Sequence, residues 1–169
     1  IRKGKLGSQI IYKNLLDKAI KGMNIGTGSK IENSGETYVL KYINKLNKEY
    51  TANSKESRDK LTIFDIGANI GNYSKMINEN FNQSKIYSFE PSKKTFEVLR
   101  NNTNQIKNII PINIGFSNEN KKMILHSNTD EKFSGLSSLY NRNLEYKNLN
   151  LDNSEEVEIQ TIDSFCQKN

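Results

Sequence analysis

Apolar residues recur along this chain with two periods, and the change from one to the other divides it. SQIIYKNLLDKAIKGMNIG, residues 8–26, sets Ile11, Leu15, Leu16, Ala19, Ile20 and Met23 at helical spacing, after an N-cap candidate at Ser8 and ending beside Gly22 and Gly26. The pattern predicts an amphipathic helix packed on the domain. GETYVLKYINKLNKEY, residues 35–50, repeats it with Tyr38, Val39, Tyr42, Ile43 and Leu46, and polar residues 51–60 suit an exposed connection. From residue 61 the period shortens. LTIFDIG reads as a buried strand and GNYSKMINENF as a helix with Tyr73, Met76, Ile77 and Phe81 on one face. KIYSFE is a second strand, PSKKTFEVLRNN a helix with Pro91 in its first turn, and NIIPINIGF a third strand. KKMILH and EEVEIQTI follow as further strands around a long polar loop, residues 127–155. Strand, helix, strand, helix, strand at this spacing predicts an α/β fold with a parallel-sheet core and N-terminal helices.

Length changes this picture little. A chain of 169 residues supports one domain, here an N-terminal helical segment over 1–60 packed on a core over 61–169. The hydrophobic fraction of 34% is low, so the apolar residues must be concentrated in the strands and helix faces. The net charge of +6 would attract nucleic acid, but Lys is interspersed with Asp and Glu and forms no basic stripe, so DNA is not expected and RNA ranks low. Cys166 and His126 stand alone, which leaves no internal disulfide and too few ligands for metal; both read as packing or surface residues. No apolar run reaches membrane-spanning length, and the basic start is not followed by a signal-peptide core, so the expected compartment is the cytoplasm. The chain begins with Ile1 rather than Met, which leaves a removed leader open.

The chemistry concentrates in FDIGANIGNYS, residues 64–74. A phosphate loop would need Gly-Lys-Ser/Thr where Gly71, Asn72 and Tyr73 stand, and a dinucleotide fingerprint from Gly67 would need glycine where Asn69 and Asn72 stand. GTGSK, residues 26–30, lacks a preceding strand and reads as a connecting turn. What remains is Asp65 at a strand end, Gly67 and Gly71 bracketing a turn, Asn69 as a residue that tolerates left-handed backbone, and a helix N-terminus. A helix N-terminus favours a carboxylate and Asp65 an ammonium, which together suit the zwitterionic end of an amino acid. Glu90, 25 residues after Asp65 and closing the second strand, is placed to accept from both ribose hydroxyls and to repel a 2′-phosphate. Ribose plus amino acid points to S-adenosyl-L-methionine; the plainer alternative makes both acids exposed strand ends.

At these residues the chain resembles the FkbM family of S-adenosylmethionine-dependent methyltransferases. DIGANIG followed by FEP is the specific pair, joined by SGE at 34–36, LRNN, INIGFSNEN and QTIDSF in the family's order. The resemblance spans roughly residues 22–166. It implies a Rossmann-like class I methyltransferase fold and methyl transfer to a hydroxyl of a small-molecule or carbohydrate acceptor, such as a sugar or secondary metabolite. By matching motif, Asp65, Gly67, Ala68, Asn69, Gly71 and Asn72 would line the methionine end. Glu90 would hold the ribose, Pro91 or Ser92 would lie near the adenine edge, and Asn113 and Ile114 on the adenine side. Ser137 and Ser138 either approach the active site or belong to a polar loop. In the family, an element like Thr161, Ile162 and Asp163 precedes a helix and a fourth core strand that lies beside the first. The chain stops at Asn169, so the expectation is an incomplete fold, part of a longer methyltransferase, whose first strand offers an edge for pairing. No residue stands out as the acceptor's base, and His126 reads as a strand-end residue. A noncatalytic cofactor-binding module is the alternative, and RNA methylation the second.

Overall fold

The alternation that begins at residue 61 folds as its periods require. In the computed structural model, which describes residues 6–22, 35–53, 61–128, 137–140, 151 and 153–169, the chain separates into two compact units, Ile1–Lys55 and Glu56–Asn169. The first unit holds two helices, α1 (Leu6–Gly22) and α2 (Glu36–Asn53). Helix α1 starts before Ser8, which therefore lies inside the helix and is not its N-cap; serine is tolerated there, and the helix runs through Gly7 beside it. Helix α2 runs three residues past its predicted end, through Thr51 to Asn53, because those polar residues carry no breaker. Met23, Gly26, the GTGSK segment and most of the connection up to residue 60 lie outside the described residues.

The second unit begins with β1 (Thr62–Ile66), α3 (Asn72–Asn80), β2 (Lys85–Phe89), α4 (Lys93–Thr103) and β3 (Ile109–Ile112). The three strands form one parallel sheet in the order β1-β2-β3, with Asp65 opposite Ser88 and Ser88 opposite Pro111. This is an α/β fold with a parallel, Rossmann-like core. Successive residues of β2 point to opposite faces. Ile86 and Ser88 look toward the α3 side, while Tyr87 and Phe89 enter an aromatic cluster with Phe64, Phe116 and Phe165. Phe89 lies edge-to-face with Phe64, Phe116 and Phe165 at centroid separations of 5.3, 4.7 and 5.0 Å, the arrangement favoured by ring quadrupoles.

NIIPINIGF does not form one strand. It breaks after Ile112, and Gly115–Phe116 make a short strand β4 in a second sheet, ordered β4-β6-β5, with β5 (Lys121–Ser127) and β6 (Asn153–Gln160). Two contacts enforce the break. Asn113 Nδ2 donates to the carbonyls of Glu90 (2.8 Å) and Pro91 (3.0 Å), turning the chain toward the end of β2. Gly115 then passes so close to β6 that a Cβ there would lie 2.7 Å from Ile159 Cδ1. Strands β5 and β6 pair antiparallel, and Leu125, Val157 and Ile159 form the buried face of the second sheet with Met123 and Leu139 against them.

The predicted strand EEVEIQTI also shifts. β6 ends at Gln160, and the last helix, α5 (Ile162–Lys168), starts where a strand residue was expected, because Thr161 Oγ1 accepts from Ser164 N (3.0 Å) and caps it. Pro91 likewise lies outside α4. Ser92 is the N-cap, its Oγ accepting from Thr95 N. Among the described residues no helix is long and apolar enough to cross a membrane.

Candidate functional site

The turn between β1 and α3 carries three left-handed residues within five positions: Gly67 at φ 80°, Asn69 at φ 48° and Gly71 at φ 89°. Asparagine adopts that conformation at little cost, which is how the turn closes without a central glycine. Its backbone is tied on every side. Gly67 N and Ala68 N both donate to the Phe89 carbonyl at 2.9 Å, and Gly71 N donates to the Ala68 carbonyl at 2.8 Å. Asn69 N donates to Glu90 Oε2 (3.0 Å), and Asn102 Nδ2, reaching over from α4, donates to the Ile70 carbonyl (2.8 Å). Gly71 is the N-cap of α3 and makes no side-chain cap bond.

Two buried carboxyl groups stand at the adjacent strand ends. Asp65 is buried, and its Oδ2 accepts from Ser74 Oγ at 2.5 Å. Ser74 spends its one proton on that bond, so it accepts in turn from Ser88 Oγ (2.8 Å), giving a chain of two fully buried hydroxyls behind the acid. Asp65 Oδ1 receives no hydrogen bond from a described side chain or backbone group. Burial pushes the Asp65 carboxyl above its ordinary range, and the Ser74 bond pulls it partly back. Glu90 is also pushed up by burial, opposed by the N–H groups of Ser92 and Asn69 and reinforced by the negative charges of Glu155 and Asp65. Glu90 Oε1 takes Ser92 N and Oε2 takes Asn69 N, each at 3.0 Å. An ionised carboxylate has about four acceptor sites, so each oxygen keeps one.

Asp65, Gly67, Ala68, Asn69, Gly71, Asn72, Glu90, Pro91 and Ser92 therefore gather at the carboxyl ends of β1 and β2. The family-model search identifies a methyltransferase FkbM domain over residues 65–169, most of the chain. The chain belongs to the FkbM methyltransferase family. Among solved structures it is similar to the methyltransferase FkbM from Methylobacillus flagellatus KT, at 14% identity and a TM-score of 0.37, covering 68% of this chain and 24% of that one. A SAM-dependent methyltransferase from Agrobacterium tumefaciens is similar at 13% identity and a TM-score of 0.30, covering 44% and 23%. The chain thus spans less than a quarter of the length of either structure. No curated protein matches it.

The FkbM match opens at Asp65, so the whole turn lies within it. The other expected site residues stand differently. The Asn113 side chain is committed to the Glu90 and Pro91 carbonyls, and Ile114 is buried in the aromatic cluster, which leaves only its backbone to meet a ligand. Ser138 pairs through its backbone with His126 on β5, and its Oγ accepts from Tyr140 N. His126 alternates with buried Leu125 and so points to the other face of that sheet. Four residues escaped the sequence reading: Ser74, Ser88, Asn102 and Glu155, whose Oε2 accepts from Lys93 N (3.1 Å) at the start of α4. Ser88 carried a signal, being a polar residue between the aromatics of a predicted strand, and Ser74 carried a weaker one, standing beside the apolar face of its predicted helix. Glu155 carried none, since its contact joins positions 62 residues apart.

Proposed function

We propose that this FkbM chain forms the S-adenosyl-L-methionine-binding half of a methyltransferase whose acceptor is a hydroxyl on a sugar or secondary metabolite. The observation that supports the reading best is Asp65, a buried carboxyl group whose Oδ1 has no described partner, beside a turn with room for a ligand. A Cβ on Gly67 would meet nothing within 4 Å, so the backbone there borders open space. Among the described residues no buried side-chain oxygen lacks a partner, so Oδ1 is open to this space, where a ligand ammonium would make a charge-assisted hydrogen bond to it. The N-terminus of α3, without a side-chain cap, favours the ligand's carboxylate.

Glu90 retains one acceptor site on each oxygen for the ribose hydroxyls. Its charge, with that of Glu155 nearby, opposes a ribose 2′-phosphate. The N–H groups at the start of α4 are already taken by Glu90, Glu155 and the Ser92 hydroxyl, so a phosphate gains little there. When bound, the cofactor supplies an electrophilic methyl group on a sulfonium. The residues named here bind and orient it, and alignment of acceptor with methyl group is the larger part of such catalysis. Methylation at oxygen rests on the family resemblance. Titration calorimetry of the chain with S-adenosylmethionine and S-adenosylhomocysteine tests the reading: binding that weakens about tenfold or more in Asp65→Asn is expected. Absence of binding by the unmodified chain would sink it.

A further inference from the structure

LRNN, residues 99–102, marks the family without having a task in the site described above. In the fold its first and last residues both touch the turn. A Cβ on Gly71 would lie 2.7 Å from Leu99 Cδ1, so Leu99 forms the wall against which the turn closes. Asn102 reaches the Ile70 carbonyl at 2.8 Å from 32 positions away. Glu90 holds the neighbouring residue from the other side through Asn69 N. The peptide group before Asn69 and the one after Ile70 are therefore gripped, from the end of β2 and from α4 respectively.

We infer that Asn102 is a positioning residue for the cofactor turn, and that Glu90 acts with it, fastening the turn before any ligand arrives as well as facing the ribose. Asn102 touches no ligand in this assignment. The bond restrains the Ile70 carbonyl, and with Asn69 N held as well the left-handed Asn69 between them keeps Gly67 and Ala68 in place. Preorganisation of this kind lowers the ordering cost of binding, so its loss weakens every ligand that uses the turn, whatever ribose it carries.

The ligand half of the test rests on the cofactor reading above; the exchange half does not. Amide hydrogen exchange is followed in the ligand-free chain for Asn102→Ala, Asn102→Asp and Glu90→Gln. The aspartate variant keeps the size of the side chain and removes its donor. Exchange at Asn69 and Gly71 is expected to quicken about tenfold in all three, with the amides of β2 unchanged. Affinity is then measured for S-adenosylhomocysteine and for its 2′,3′-dideoxy form. Both Asn102 variants should bind both compounds about three- to tenfold more weakly, by the same factor for each, as for the loss of one hydrogen bond. Glu90→Gln should weaken the dideoxy form too. Unchanged exchange at residues 67–71 in a folded Asn102 variant overturns the inference. So does a loss confined to the ligand with ribose hydroxyls. If the unmodified chain binds neither compound, the cofactor reading fails while the exchange result still decides the grip on the turn.

Discussion

A methyl group added at Gly71 would press on Leu99 and Thr103, at 2.7 and 3.1 Å, whereas one added at Gly67 would meet open space. Both residues have positive φ, so both substitutions strain the backbone by about 1 kcal/mol. Only the first also overpacks. Gly71→Ala is expected to lower stability by about 2–4 kcal/mol in denaturant unfolding, and Gly67→Ala by about 1 kcal/mol with a larger proportional loss of cofactor affinity. The sequence shows two glycines four apart and no difference between them, because crowding comes from α4, some 30 residues on. Ser74 makes a second case. Burial raises the Asp65 carboxyl and the Ser74 bond lowers it in part. A ligand ammonium needs Asp65 ionised, so affinity should fall as pH drops through the Asp65 folded value. Ser74→Ala should move that fall to higher pH. Calorimetric titrations of both proteins across the acid range would show it, and coincident profiles would refute it.

At the scale of elements, α5 is short and contributes one buried residue, Phe165, whose ring touches Phe64, Tyr87, Phe89 and Phe116. Phe165→Ala should cost about 3–5 kcal/mol in denaturant unfolding, more than any other change in that helix. The three strands and two helices of the parallel core were legible because their apolar periods are long and their ends are marked by Gly71 and by the pair Pro91 and Ser92. What the period could not show is where an apolar run changes sheets. Residues 108–116 read as one strand, since Ile109, Ile110, Ile112, Ile114 and Phe116 are all apolar. The break at Asn113 comes from bonds to the Glu90 and Pro91 carbonyls, which lie more than 20 positions earlier. In the same way β6 stops at Gln160 because Thr161 turns its hydroxyl to Ser164, a local contact that competes with strand extension.

For the whole molecule, the site works against the fold that carries it. Asp65 and Glu90 are both held above their ordinary values, 3.8 and 4.5, chiefly by burial. Each favours the folded state most fully below those values, and that contribution is lost as pH rises through the higher folded value. The free chain is therefore expected to lose stability from about pH 4 upward on their account. Asp65→Asn, which carries no charge to bury, should melt at a higher temperature than the unmodified chain at pH 7, and the difference should close toward pH 4. A melting temperature at or below that of the unmodified chain at pH 7 would count against it. The described ion pairs, Lys45 with Glu49, Arg100 with Glu97, Lys121 with Glu119 and Lys122 with Glu156, are all exposed and add little to this balance.

The ties around the β1 to α3 turn also bear on time. A loop that must reorder on each encounter gives an observed association rate that levels off at high ligand concentration, where the rearrangement becomes limiting. Here Phe89, Glu90, Asn102 and the Ala68 carbonyl hold the turn already. Rapid-mixing traces should follow one exponential, with a rate that climbs in proportion to ligand concentration and reaches no plateau.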